Sequence, residues 1–121
     1  MAVRADPDAI AQIIVNLLSN AEKYSHGDKK IIVEAGRRDG PLPCAELRIL
    51  DRGAGVPRGS EEKIFEKFYR AHDSLSSGIQ GSGLGLTLAR QIARAHGGDV
   101  VYELREGGGS CFSLRLPLKM D

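Results

Sequence analysis

Asn16, Asn20, Lys23 and Tyr24 stand at i, i+4, i+7 and i+8 of a stretch with helical periodicity, so one helix face carries two amides, an ammonium and a phenol. An amide oxygen is a hard ligand that suits Mg²⁺, and a lysine offers a point charge to phosphate oxygens. A wet helix face with two incidental amides has the same composition. Asn is a mediocre helix former, however, and a pair one turn apart favours the ligand reading. A second group is Asp51-Arg52-Gly53-Ala54-Gly55. Period-two alternation puts Asp51 on the inward side with Leu47 and Ile49, where a carboxylate needs hydrogen-bond partners from the protein or a ligand. Such an acid can accept the exocyclic amine of adenine or cap a turn, and this segment alone leaves both open. A third is Gly81-Ser82-Gly83-Leu84-Gly85, where side-chain-free N–H groups at a helix start make an anion cradle. Its GxGxG spacing, with no strand before it and no Gly-Lys-Ser/Thr ending, excludes the dinucleotide fingerprint and the P-loop.

The elements that must position these groups are legible in outline. Asp6-Pro7-Asp8 is a helix start, with an Asp cap, a Pro at the first helical position and an acid near the dipole's positive end. Ile10, Ile13, Ile14, Leu17, Leu18 and Ala21 then form one apolar stripe, which predicts a helix to about Tyr24. Residues 30–35 and 45–50 read as strands around the turn Asp39-Gly40-Pro41-Leu42-Pro43. From Asp51 to Ser82 the pattern breaks into Gly, Pro and Ser, apart from a short amphipathic stretch at 61–69. A stretch that long is expected to be a lid or binding loop. Residues 84–96 predict a second helix, with Leu84, Leu88, Ile92 and Ala95 inward, Arg90 and Arg94 outward, and Gly97-Gly98 as the stop. Residues 100–104 and 111–116 predict a hairpin around Glu106-Gly107-Gly108-Gly109. The order gives an α+β two-layer sandwich, with helices on one face of a mixed, mostly antiparallel sheet.

Composition narrows the class. The chain has 121 residues, one domain's worth, with 41% apolar and 27% charged residues, which excludes wholesale disorder. No apolar run approaches the roughly 20 residues of a membrane span, and no signal-peptide core follows Met1. Seventeen basic against sixteen acidic residues give +1, too balanced for a nucleic-acid arm or a polybasic anchor. Cys44 and Cys111 form no metal-ligand spacing and are expected as reduced cytoplasmic thiols.

Four segments in order resemble the boxes of sensor histidine kinases. Asn16-Leu17-Leu18-Ser19-Asn20-Ala21-Glu22-Lys23-Tyr24-Ser25 resembles the N box, and Asp51-Arg52-Gly53-Ala54-Gly55-Val56-Pro57 the first glycine box. Ile64-Phe65-Glu66-Lys67-Phe68-Tyr69-Arg70 resembles the F box, and Gly81 to Gly85 the second glycine box. The resemblance covers nearly the whole chain and implies the Bergerat ATP-binding sandwich, shared with DNA gyrase B, the MutL proteins and the heat-shock ATPase chaperones. It implies that Asn20 ligates Mg²⁺ and that Asn16 and Lys23 face the phosphates. Tyr24 would lie against the nucleotide, and Asp51 would bond the adenine amine with Gly55 giving it room and Gly53 in the same cofactor-binding set. Gly81, Gly83, Leu84 and Gly85 would belong to the cofactor-binding set and let a lid over about 57–82 close. Arg70 would reach the terminal phosphate, and Ser110 would meet the adenine through a water. Phe65 and Phe68 read equally as core or as docking residues for a partner helix.

Hydrolysing members of this superfamily resemble one another in carrying a Glu one turn before the metal-binding Asn, where a carboxylate can act as general base on water. Asn16 takes that place here, and an amide has no useful basicity near neutral pH. Transfer of the γ-phosphoryl group to a histidine on another domain is therefore the expected chemistry, with Asn16, Lys23 and Arg70 as catalytic residues. His72-Asp73 lacks the Leu and Pro of a phospho-accepting helix and reads as lid surface. His26 and His96 read as helix-end residues. The chain reads as a domain cut from a longer one, a cytoplasmic part of a membrane-anchored bacterial sensor kinase. The implied partners are ATP, the dimerisation and acceptor domain of a homodimeric parent and, indirectly, a response regulator, with no nucleic acid; alone, the domain is expected to be a monomer. The competing readings are a non-catalytic nucleotide-sensing or docking module, an ATPase of the same fold, and an anti-sigma type serine kinase.

Overall fold

In the computed structural model, which describes residues 2–24, 30–53, 59, 61–66 and 85–119 and only the backbone of Lys23 and Tyr24, Asp6 starts the first helix as its sequence predicts. Its Oδ1 accepts the Asp8 N–H at 3.0 Å, and its carbonyl accepts the Ile10 N–H at 3.0 Å. The helix, α1, spans Pro7–Tyr24. Ile13, Leu17 and Ala21 are fully buried along its apolar stripe. Burying side chains the size of Ile13 and Leu17 stabilises the fold by about 1.5–3 kcal/mol each.

Two strands follow, β1 (Ile32–Arg38) and β2 (Cys44–Asp51), then a short 3-10 turn at Lys63–Phe65. Helix α2 (Gly85–Ala95) and the hairpin of β3 (Asp99–Leu104) and β4 (Ser110–Pro117) complete the order. The sheet runs β1-β2-β4-β3, and each of these pairings is antiparallel. Its outer strands are therefore β1 and β3. β1 sits two to three residues later than its own alternation suggests, because pairing with β2 carries it on to Arg38 opposite Cys44.

α1 and α2 pack on each other; α1 also packs on β2, and α2 on β3 and β4. The core joins Ile13, Leu17 and Ala21 to Ile49, Val100, Phe112, Leu114 and Leu116. The two helices run antiparallel, and both ends of α2 are tied to the α1 segment. The Asp6 N–H donates to His96 Nε2 at 3.3 Å, and Asn16 Nδ2 donates to the Gly85 carbonyl at 3.3 Å. His96 keeps its helix-end place, with Nδ1 2.8 Å from the Ile92 carbonyl oxygen.

α2 corrects the sequence reading of its own faces. Leu88 is 43% exposed and Ala95 is exposed, although both were expected inward, while Arg90, expected outward, is 9% exposed. The buried stripe is Thr87, Ala89, Arg90 and Ala93, with Ile92 half-buried. Ala89 and Ala93 are small enough to let α2 lie close to its neighbours, and Arg90 finds a complete set of partners inside. The helix ends as expected. Gly97, at φ +81°, allows the Gly98 N–H to reach the Ala93 carbonyl at 2.9 Å and its own N–H to reach Arg94 at 3.0 Å.

Cys44 and Cys111 are both free, Cys111 buried and Cys44 half-buried. Among the described residues, no helix is long and apolar enough to cross a membrane.

Candidate nucleotide site

Asp51 is the last residue of β2 and lies in register opposite Ser110, the first residue of β4. It is 2% exposed, and Ser110 is also buried. The strand alternation therefore aims the carboxylate inward as the sequence predicts. Its Oδ1 accepts the Gly53 N–H at 2.8 Å, so the turn-capping role is real, and Oδ2 has no partner among the described residues. A buried carboxylate with one backbone donor is incompletely satisfied, and a ligand amine is the kind of group that completes it.

The β3–β4 hairpin braces this acid from behind. Gly107, Gly108 and Gly109 all have positive φ, and the Arg105 N–H donates to the Gly109 carbonyl at 3.1 Å. A Cβ on Gly109 would lie 2.1 Å from the Asp51 carbonyl oxygen, so only glycine lets the two backbones approach this closely. Arg105 NH1 donates to the same carbonyl at 3.2 Å. Sequence reasoning missed Arg105 and the contact role of Gly109. The glycine cluster signalled a tight turn but not what it leans against.

On α1, Asn16 and Asn20 are half-buried and one turn apart, as the spacing predicts. Asn16 is held at both ends of its amide, with one donor and one acceptor position used. Its Oδ1 accepts from Gln12 Nε2 at 2.9 Å while its Nδ2 reaches Gly85, so the N box and the start of α2 are joined directly. Asn20 has no side-chain hydrogen bond among the described residues. Its free amide oxygen is a hard donor that fits a cation already held by phosphate oxygens and water. Among the described residues no cluster of His, Cys, Asp and Glu could hold a metal alone, and a nucleotide-borne ion requires none.

The structure thus brings Asp51, Gly53 and Ser110 into one cluster and Asn16 and Gly85 into another, with Asn20 beside the second. The side chains of Lys23 and Tyr24, and all of Gly55, Phe68, Arg70, Gly81, Gly83 and Leu84, lie outside the described residues, as do His26, His72, Asp73 and most of the lid expected at 57–82. Phe65 is core, 6% exposed and edge-on to Phe112, with ring centroids 6.4 Å apart.

Near α2, Asp99 is the group whose acidity moves. Burial pushes its carboxyl up. The hydrogen bond from Arg94, the Val100 N–H and the charges of Arg90 and Arg94 outweigh that and hold it below the usual aspartate value.

The family described as Histidine kinase-, DNA gyrase B-, and HSP90-like ATPase matches residues 5–120. The chain belongs to this family. The sensor protein kinase WalK of Staphylococcus aureus is 37% identical over 116 residues, covering 95% of this chain and 28% of that protein. Among solved structures, the mycobacterial sensor histidine kinase MprB superposes with a TM-score of 0.79 at 29% identity, over 98% of this chain and 76% of that one. Full-length ShkA in complex with AMPPNP gives a TM-score of 0.77 at 27% identity, over 98% of this chain and 23% of that one. The chain is thus an ATP-binding catalytic domain of the sensor histidine kinase type, and it spans about a quarter of the length of that curated relative. The α+β sandwich and the ordered boxes read from the sequence agree with this membership.

Proposed function

We propose that this domain binds Mg-ATP and donates the γ-phosphoryl group to a histidine on a separate dimerisation and acceptor domain. The observation that carries the reading is the buried Asp51 carboxylate, with one oxygen open among the described residues, at the end of a strand followed by a glycine turn. That arrangement suits the amine edge of adenine, and Ser110 opposite it suits a water-mediated contact. The AMPPNP bound to ShkA supports the choice of an adenine nucleotide.

Asn20 would ligate the magnesium through its amide oxygen. The bound ion supplies neutralisation of phosphate charge. Asn16 and Lys23 would face the phosphates, with Tyr24 against the nucleotide. Gly53 and Gly55 would leave room for the base, Gly81, Gly83, Leu84 and Gly85 would border the phosphates, and Arg70 would reach the terminal one. Asn16 keeps its oxygen on Gln12 and its nitrogen on Gly85, and an amide so placed takes no proton from water. The nucleophile is then the acceptor histidine, which bonds to the γ-phosphorus as ADP leaves. The acceptor domain belongs to the parent kinase, a homodimer anchored in the membrane with this domain in the cytoplasm, and a response regulator takes the phosphoryl group onward.

Radiolabelled ATP tests the proposal. Label should appear on a supplied acceptor fragment and not on this chain alone. Brisk multiple-turnover phosphate release without an acceptor would place the domain with the hydrolysing members instead.

A further inference from the structure

Arg90 is the one arginine of α2 turned into the core, and it links three elements. Its Nε lies 3.1 Å from both Asp99 Oδ1 and the Val100 carbonyl oxygen of β3. NH1 and NH2 take the two carboxylate oxygens of Glu62 at 3.1 and 3.3 Å, a fork on a fork. The guanidinium carbon sits 3.7 Å from the centroid of the Phe65 ring, and Thr87 Oγ1, one turn earlier on α2, donates to the Phe65 carbonyl at 2.7 Å. Phe65 meets Phe112, which is paired with Ile49 two positions along the ladder from Asp51 and Ser110. A buried guanidinium is a costly way to fill space that an aliphatic chain would fill. What it adds is a fixed relation between the first turns of α2 and the turn carrying Glu62 and Phe65.

We infer that Arg90 is a positioning residue for phosphoryl transfer, acting through Glu62 and Phe65 to hold the start of the F-box segment on the same helix whose first residue, Gly85, is tied to Asn16. The inference rests on the proposed function, since it assigns a role within that reaction. Glu62 is largely exposed, so its fork can be altered without opening the core. The contacts of Arg90 among the described residues are Asp99, Val100, Glu62 and Phe65, all within the domain. Its removal loosens the geometry in which nucleotide and acceptor meet, not the adenine contact.

The experiment measures nucleotide affinity on this chain and phosphoryl transfer to the acceptor fragment for Glu62→Gln, Arg90→Lys and Arg90→Gln. Glu62→Gln should keep the wild-type melting temperature and ATP affinity while slowing transfer about fivefold. Arg90→Gln should slow it at least about thirtyfold, and Arg90→Lys should recover only a minor part, because an ammonium restores the charge without the fork or the stacked plane. In the Arg90→Lys background, Glu62→Gln should have little further effect. Wild-type transfer by Glu62→Gln, or a fall in affinity matching the fall in rate, would overturn the assignment and leave the proposed function standing. A wild-type chain that binds nucleotide but labels no acceptor would overturn both.

Discussion

The Arg90 junction and the candidate nucleotide rim, to which Asp51 at the end of β2 and Asn20 on α1 are assigned, use the same kinds of polar group and treat them in opposite ways. At the junction the guanidinium meets Asp99, the Val100 carbonyl and both oxygens of Glu62, with Phe65 across its face. At the rim Asp51 holds a single backbone N–H, and Asn20 holds nothing among the described residues. Leaving a buried polar group short of a partner costs roughly 1–3 kcal/mol. A buried guanidinium paired on every side fixes how its neighbours sit, whereas the buried Asp51 carboxylate keeps one oxygen unpaired among the described residues.

Breaking the brace behind the rim should give the largest effect. Gly109→Ala forces a Cβ into the Asp51 carbonyl at φ +101°, and denaturant unfolding should show a loss of about 3 kcal/mol. Gly107→Ala, with positive φ but open space, should lose about 1 kcal/mol. Equal losses would mean that the close approach to Asp51 is unimportant.

Asp51→Asn should weaken ATP binding about 100-fold, some 2.7 kcal/mol, with the nucleotide-free melting temperature changed by only a few degrees. Calorimetry with and without nucleotide distinguishes this from a structural acid, whose loss would unfold the apo domain. A smaller effect is expected at Asn20→Ala. Metal-free nucleotide binding should hold while the gain from Mg²⁺ falls about tenfold, and unchanged Mg²⁺ dependence would move the ligand elsewhere.

Acid sharpens the junction's side of the comparison. Asp99 has a lowered folded-state pKa, so its stabilising contribution is fully present above its unfolded value, near pH 4, and is lost as pH falls through the lower folded value. Unfolding midpoints of the parent and Asp99→Asn should therefore differ at pH 6 and converge as the pH drops below about 4. A constant gap would show that the ion pairs with Arg90 and Arg94 contribute nothing.

Local rules carried much of this fold. The stripe of Ile13, Leu17 and Ala21, the Asp6 cap and the Gly97-Gly98 stop needed only neighbours within a few residues. The alternation that turned Asp51 inward needed only Leu47 and Ile49. α2 shows where such rules end. Periodicity counts Arg90 as polar and Leu88 as apolar, and so it reversed their exposure. The socket for Arg90 is assembled from Glu62, Phe65, Asp99 and Val100, on segments that meet only once the chain has folded. The same limit hid Arg105 and Gly109 behind Asp51, whereas the Gln12–Asn16 pair is an i, i+4 contact within α1.

One outer strand of the sheet, β1, carries Glu34, Arg37 and Arg38, all exposed and each drawn into an ion pair with Arg48, Asp39 or Glu46. An extended segment from another molecule that tried to zip onto this strand would have to strip water from these charges and compete with those pairs. The ion pairs along β1 thereby disfavour runaway pairing through the strand's own electrostatics.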